Sequence, residues 1–173
     1  MTGDAGGDFD LKALYAALDE QRQRRGLTWA QATREINAVG PPSPRHPIAT
    51  STIVSLRTKA IAEGAGVLQM LRWLGRGPES FVHGLAAELS SSRLPDADVQ
   101  SVLRFDTRKL YEALDAERKT RGLTWPQVAA DTGVPASHMR GLSNGGRTGF
   151  PGVMRLTRWL RRPASDFVRL SPY

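Results

Sequence analysis

Cysteine is absent from this chain of 173 residues, and histidine occurs only at positions 46, 83 and 138. Without thiols there are no disulfides, thiolate metal sites or cysteine nucleophiles, and three scattered histidines do not make a metal cluster. Aromatic residues are sparse, at 7%. No apolar run approaches the roughly 20 residues a bilayer-spanning helix needs. The opening MTGDAGGDFD is acidic and Gly-rich where a secretory leader would be basic and then apolar. Negative charge is in the minority, with 17 Asp and Glu against 24 Lys and Arg, a net charge of +7 and a pI near 10.5. These absences leave a globular chain, expected in the cytoplasm, with no catalytic framework, cofactor, metal or membrane partner. The basic balance favours a polyanion instead.

What is present is a stretch written twice. Phe9 to Trp29 reads FDLKALYAALDEQRQRRGLTW and Phe105 to Trp125 reads FDTRKLYEALDAERKTRGLTW, identical at thirteen of twenty-one positions and ninety-six residues apart. Downstream the matches resume eighty-six apart: Leu56 with Leu142, Arg72-Trp73-Leu74 with Arg158-Trp159-Leu160, Phe81-Val82 with Phe167-Val168. The ten extra residues of the first copy are placed in AVGPPSPRHP, 38–47, stiffened by Pro41, Pro42 and Pro44. The expected organisation is a first domain over 9–85, a solvated linker over 86–104, and a second domain over 105–170, with a helical GLAAEL, 84–89, where the first domain passes into the linker. Charge is unevenly shared: residues 105–173 hold twelve Lys and Arg against six Asp and Glu, residues 1–85 ten against eight.

In the second copy, Asp106 can N-cap a helix with Leu110, Ala113 and Leu114 on one face, and Gly122 can close it. Thr124 with Gln127 makes a capping box, Pro126 fits the first turn, and a second helix runs from Trp125 to about Thr132. Gly133, after so few helical residues, is what a tight helix-to-helix turn requires. Val134, Met139 and Leu142 are spaced to bury one face of a third helix. Pro151 can start a fourth carrying Val153, Leu156 and Leu160, and Phe167 and Val168 close the module.

The run RGLTWPQVAADTGVPASHMRGLSNGGR resembles the helix-turn-helix domain of the Cro and lambda-repressor-like class, the xenobiotic-response-element (XRE) family. The shared features are the small Ala129, the turn Gly133, buried Val134, Met139 and Leu142, and the Ser143-Asn144-Gly145 end. The resemblance implies an all-α fold of two tandem domains, each of four to five short helices, and a bacterial transcription regulator that binds double-stranded DNA. The third helix of each copy would enter the major groove. Carried over residue by residue, Pro135, Ala136, Ser137, His138, Arg140 and Gly141 face the groove, Gln127 and Asn144 contact phosphates, and Arg147 is counted with the DNA-binding residues.

The first copy resembles the family less: Thr33 stands where the small Ala would be, and the turn is expanded by the Pro-rich insert. Its third helix, expected over Ala49 to Lys59, offers Thr50, Ser51, Thr52, Arg57 and Lys59, with Val54 at the position of Arg140. The tandem copies are expected to act as a covalent pseudo-dimer, the chain being a monomer or weak homodimer. The alternative is a protein-interaction module, antitoxin-like or adaptor, with a protein partner on the first domain. Trp29, Trp73, Trp125 and Trp159 could stack on bases, but their fixed module positions assign them to packing. His138 has no carboxylate or nucleophile pattern near it in sequence, so a surface contact is expected of it. The cluster Arg155, Arg158, Arg161 and Arg162 reads equally as a solvated face or a phosphate contact.

Overall fold

A computed structural model describes residues 8–38, 47–84, 93–96 and 101–172. In the first copy the Asp10 carboxylate accepts from the Lys12 and Ala13 amides, each at 2.9 Å, and starts α1 (Leu11–Arg24). Gly26, at φ +63°, ends it. Gln31 Oε1 accepts from the Thr28 amide at 2.8 Å in a capping box that opens α2 (Trp29–Ala38). Then come α3 (Thr50–Ser55), β1 (Ala62–Glu63), α4 (Gly64–Leu74) and a 3-10 turn, Pro78–Phe81. The second copy enters through β2 (Ser101–Phe105) and repeats the order: α5 (Thr107–Thr120), α6 (Trp125–Thr132), α7 (Ala136–Gly141) and a 3-10 turn at Leu142–Asn144. It ends with β3 (Gly149–Phe150), α8 (Gly152–Trp159), a 3-10 turn at Ala164–Phe167 and β4 (Val168–Pro172). Most of the Pro-rich insert and the GLAAEL segment lie outside the described residues. Among the described residues no helix is long and apolar enough to cross a membrane.

The duplication persists at the level of single contacts. Arg22 binds Asp19 and donates to the Leu27 carbonyl, and Arg118 binds Asp115 and donates to the Leu123 carbonyl, with 2.6 and 2.8 Å in both copies. Each of these arginines lies 5.0 Å over an indole, Trp29 or Trp125, whose other neighbour is a stacked tyrosine, Tyr15 or Tyr111. Trp73 Nε1 donates to Glu35 at 3.0 Å, and Trp159 Nε1 reaches the shorter Asp131 at 3.4 Å. All four tryptophans are thus committed to joining helices within a copy.

The all-α expectation needs correction: the described residues are mostly helical but carry two small antiparallel sheets, β1–β3 and β2–β4. Ser101–Arg104, read as the end of a solvated linker, belongs to β2, which pairs with β4 from Ser101↔Pro172 to Phe105↔Val168. The reason is apolar content: Leu103 and Phe105 are buried while Arg104 between them is exposed, the alternation of a half-buried strand.

The two copies share one core. Phe105, Phe150, Val153, Met154 and Val168 of the second copy belong to the same buried cluster as Phe9, Leu14, Ile53, Val67 and Leu71 of the first. A smaller cluster, from Leu110 and Leu114 to Met139, Leu142 and Phe167, lies within the second copy alone. The contacts between copies join equivalent parts. β1 pairs with β3 as Ala62↔Phe150 and Glu63↔Gly149, and by the eighty-six-residue offset Gly149 is the counterpart of Glu63 and Phe150 of Gly64. The ribbon therefore maps onto itself when the copies are exchanged. Phe9 packs on Phe150 with ring centroids 4.6 Å apart. Its counterpart Phe105 packs on Gly64, coming within 3.0 Å of where a Cβ there would sit. The Ala164 amide donates to Glu79 at 2.5 Å, joining the equivalent 3-10 turns of the two copies. Like surface meets like surface, which is the isologous contact of a two-fold dimer.

Candidate nucleic-acid interface

Gly133, at φ +66°, donates to the Ala129 carbonyl at 2.9 Å and turns the chain from α6 to α7. The Thr132 hydroxyl braces that turn, donating to the Val128 carbonyl at 2.8 Å and accepting from the Val134 amide at 3.2 Å. Val134, Met139 and Leu142 are buried as expected, and they seat α7 against Leu110 and Leu114 of α5. Their burial fixes what is left outside: Pro135, Ser137, His138, Arg140, Asn144 and Arg147 are exposed. Ala136 is half-buried against the core. Gly141 is also half-buried; its carbonyl accepts from the Gly146 amide at 3.3 Å and would lie 2.8 Å from any Cβ on Gly146. Gln127 keeps the capping box, its Oε1 accepting from the Thr124 amide at 2.8 Å, and the side chain remains exposed. That leaves its amide protons as donors to an anion. Arg147 lies 3.7 Å from Glu63 while 86% exposed, so the pair is weak.

In the first copy the corresponding unit is closed differently. Asn37 and Ile48, which flank the insert, exchange two hydrogen bonds of 2.9 Å, so α2 and α3 meet despite the extra residues. Thr33, which stands where the second copy has Ala129, donates to the Trp29 carbonyl at 2.7 Å and receives the Thr50 hydroxyl at 3.0 Å. Thr50 is therefore a fastener between helices rather than a free reader. Ser51, Thr52 and Lys59 are exposed, whereas Val54 is half-buried. Arg57 lies past the end of α3, over the Tyr15 ring at 5.6 Å. The expected helix to Lys59 stops at Ser55, so Arg57 is carried by the following turn and Lys59 by the irregular chain just after it.

The basic cluster splits into committed and uncommitted members. Arg155 grips the Asp8 carboxylate at 2.6 and 2.5 Å, tying α8 to the start of the first copy. That hydrogen-bonded guanidinium holds the Asp8 carboxyl below the ordinary carboxylate range, and the carboxylate in turn raises Arg155. Arg162 binds Asp166 at 2.9 Å and lies over the Phe167 ring. Arg158 and Arg161 are exposed.

Sequence reasoning missed the residues that set how the two helical units face each other: Ala62 to Gly64, Thr148 to Phe150, Asp8, Glu79 and Ala164. The one available signal was Phe150 standing at the position of Gly64, a large ring opposite an empty place. Comparison with protein-family models, with curated proteins and with solved structures finds no match to this chain.

Proposed function

We propose that the chain is a sequence-specific double-stranded DNA-binding protein, a transcription regulator of XRE type whose two copies stand in for the two subunits of a dimer. What carries the reading is the outer row of α7. Ser137, His138 and Arg140 project from a helix whose opposite side is locked by Met139 and Leu142, on the more basic copy. An arginine so placed can donate two hydrogen bonds to a guanine edge, and the serine and histidine can each donate or accept. Gln127, Asn144 and Arg147 supply amide and guanidinium donors to phosphates, which position the domain without reading sequence. These side chains bind and do not turn over a substrate.

The first copy contributes less. With Thr50 bound to Thr33 and Arg57 drawn over Tyr15, α3 keeps Ser51 and Thr52 as its free polar groups, and Ile61 nearby is 69% exposed. It is a weaker second reader, and its apolar part is the surface a protein partner would use. Selecting bound duplexes from a random library tests the reading: an enriched motif is expected, with affinity falling about 0.9 in log-log slope for each phosphate neutralised. No enrichment, or a flat response to salt, would leave the interaction-module reading in its place.

A further inference from the structure

We infer that a single chain occupies an inverted repeat of two unlike half-sites, with α3 and α7 approaching the duplex about a two-fold axis rather than one behind the other. The inference rests on the DNA-binding reading. A direct repeat in the chain does not by itself decide this, because two copies joined by a linker could equally follow each other along the groove. The contact between copies decides it.

The β1–β3 ribbon and the Glu79–Ala164 hydrogen bond each bring a segment of one copy against the same segment of the other, and the Phe9–Phe150 and Phe105–Gly64 contacts exchange when the copies are exchanged. A head-to-tail arrangement would join unlike surfaces. DNA has two-fold axes perpendicular to its length, so a two-fold pair of helices engages both halves equivalently only when the axes coincide. The halves differ because the readers differ: Thr52 stands opposite His138, Val54 opposite Arg140 and Thr58 opposite Asn144.

The joint is unequal on its two sides, Phe9 meeting the ring of Phe150 while its counterpart Phe105 meets the bare Gly64, so the two-fold relation is approximate, as the two readers are unlike.

The absence of cysteine makes a direct test available, since any introduced thiol is unique. Ala30→Cys and Pro126→Cys change equivalent, exposed residues at the starts of α2 and α6. Each variant is coupled to an iron chelate that cleaves nearby DNA and is placed on the duplex selected by the intact chain, with both strands end-labelled. The expected result is two cleavage patterns at opposite ends of the site that exchange strands under a two-fold rotation, with one chain per duplex by sedimentation. Patterns related by translation on the same strand, cleavage at one end only, or two chains per duplex would overturn the inference. Arg34→Cys and Ala130→Cys, about one turn further on, replace the first pair should either variant fail to fold. Failure of the intact chain to retain any duplex would remove the DNA reading itself, and is distinguished from a bound duplex with translated patterns.

Discussion

Arg161 holds φ +54°, where the first copy places Gly75 at φ +67° to leave α4. A left-handed conformation costs an L-residue about 1 to 2 kcal/mol, and glycine avoids the clash while losing more freedom on folding. Arg161→Gly is therefore expected to stabilise the protein by somewhat under 1 kcal/mol in denaturant titration; a loss of stability would mean that the arginine makes compensating contacts. The same variant probes the basic face, since an Arg161 that meets a phosphate would lower the salt slope by about 0.9 when removed. At the reading surface, Arg140→Ala is expected to cost roughly 1 to 3 kcal/mol of binding and to relax base preference at one position. Asn144→Ala should weaken binding to all duplexes alike. Unchanged affinity and motif for Arg140→Ala, measured by repeating the duplex selection, would place the groove-facing surface elsewhere.

At the scale of elements, β1 and β3 are two residues each and have little stability as a ribbon. Their register is held by what lies beneath: Phe150 is fully buried between Phe9 and Phe105, with ring centroids at 4.6 and 5.4 Å. Phe150→Ala should cost about 3 to 5 kcal/mol, the usual range for an aromatic removed from a core. Gly64→Val fails for the opposite reason, because its Cβ would lie 2.9 Å from the Thr148 carbonyl oxygen, a backbone atom that cannot swing away. Both should lower the melting temperature and loosen the contact between copies. The Asp8–Arg155 pair adds a pH dependence. The Asp8 pKa is depressed in the folded protein, so its contribution is present above the unfolded value and lost as pH falls through the folded one. Stabilities of wild type and Asp8→Asn should differ by up to about 1 kcal/mol at neutral pH, both side chains being partly exposed, and converge on acidification. A constant gap down to strongly acidic pH would show that another group carries the effect.

For the whole molecule, the shared core predicts that the copies unfold together. Residues of the second copy from Leu103 to Val168 complete the cluster under α4, so the first copy does not close its core unaided. Calorimetry of the intact chain is expected to give one transition with equal calorimetric and van't Hoff enthalpies. Two resolved transitions would mean that the cores are energetically separate. A joint of this kind also holds α3 and α7 in a fixed mutual orientation, which is what a rigid reader of two half-sites needs and what a flexible linker does not supply.

Everything governed by neighbours in the chain could be read without a structure. The caps at Asp10 and Asp106, the Thr-Gln boxes, the left-handed Gly26, Gly122 and Gly133, and the buried faces of α5 to α7 depend on hydrogen bonds and spacing within a few residues, and the repeat made each visible twice. Which α7 side chains stay outside followed from the same periodicity, except that Ala136 is held against the core by packing the pattern does not weigh. Contacts between distant segments were not legible. Val102 to Phe105 acquires its strand only because Val168 to Ser171 lies beside it, and Thr50 loses its freedom only because Thr33 reaches it. The chain repeats its module in tandem, and one dimension holds no difference between copies that follow each other and copies that face each other. That choice was made in three dimensions, where the ring of Phe105 lies against the bare Gly64, its counterpart Phe9 lies against Phe150, and the two-fold contact buries all four.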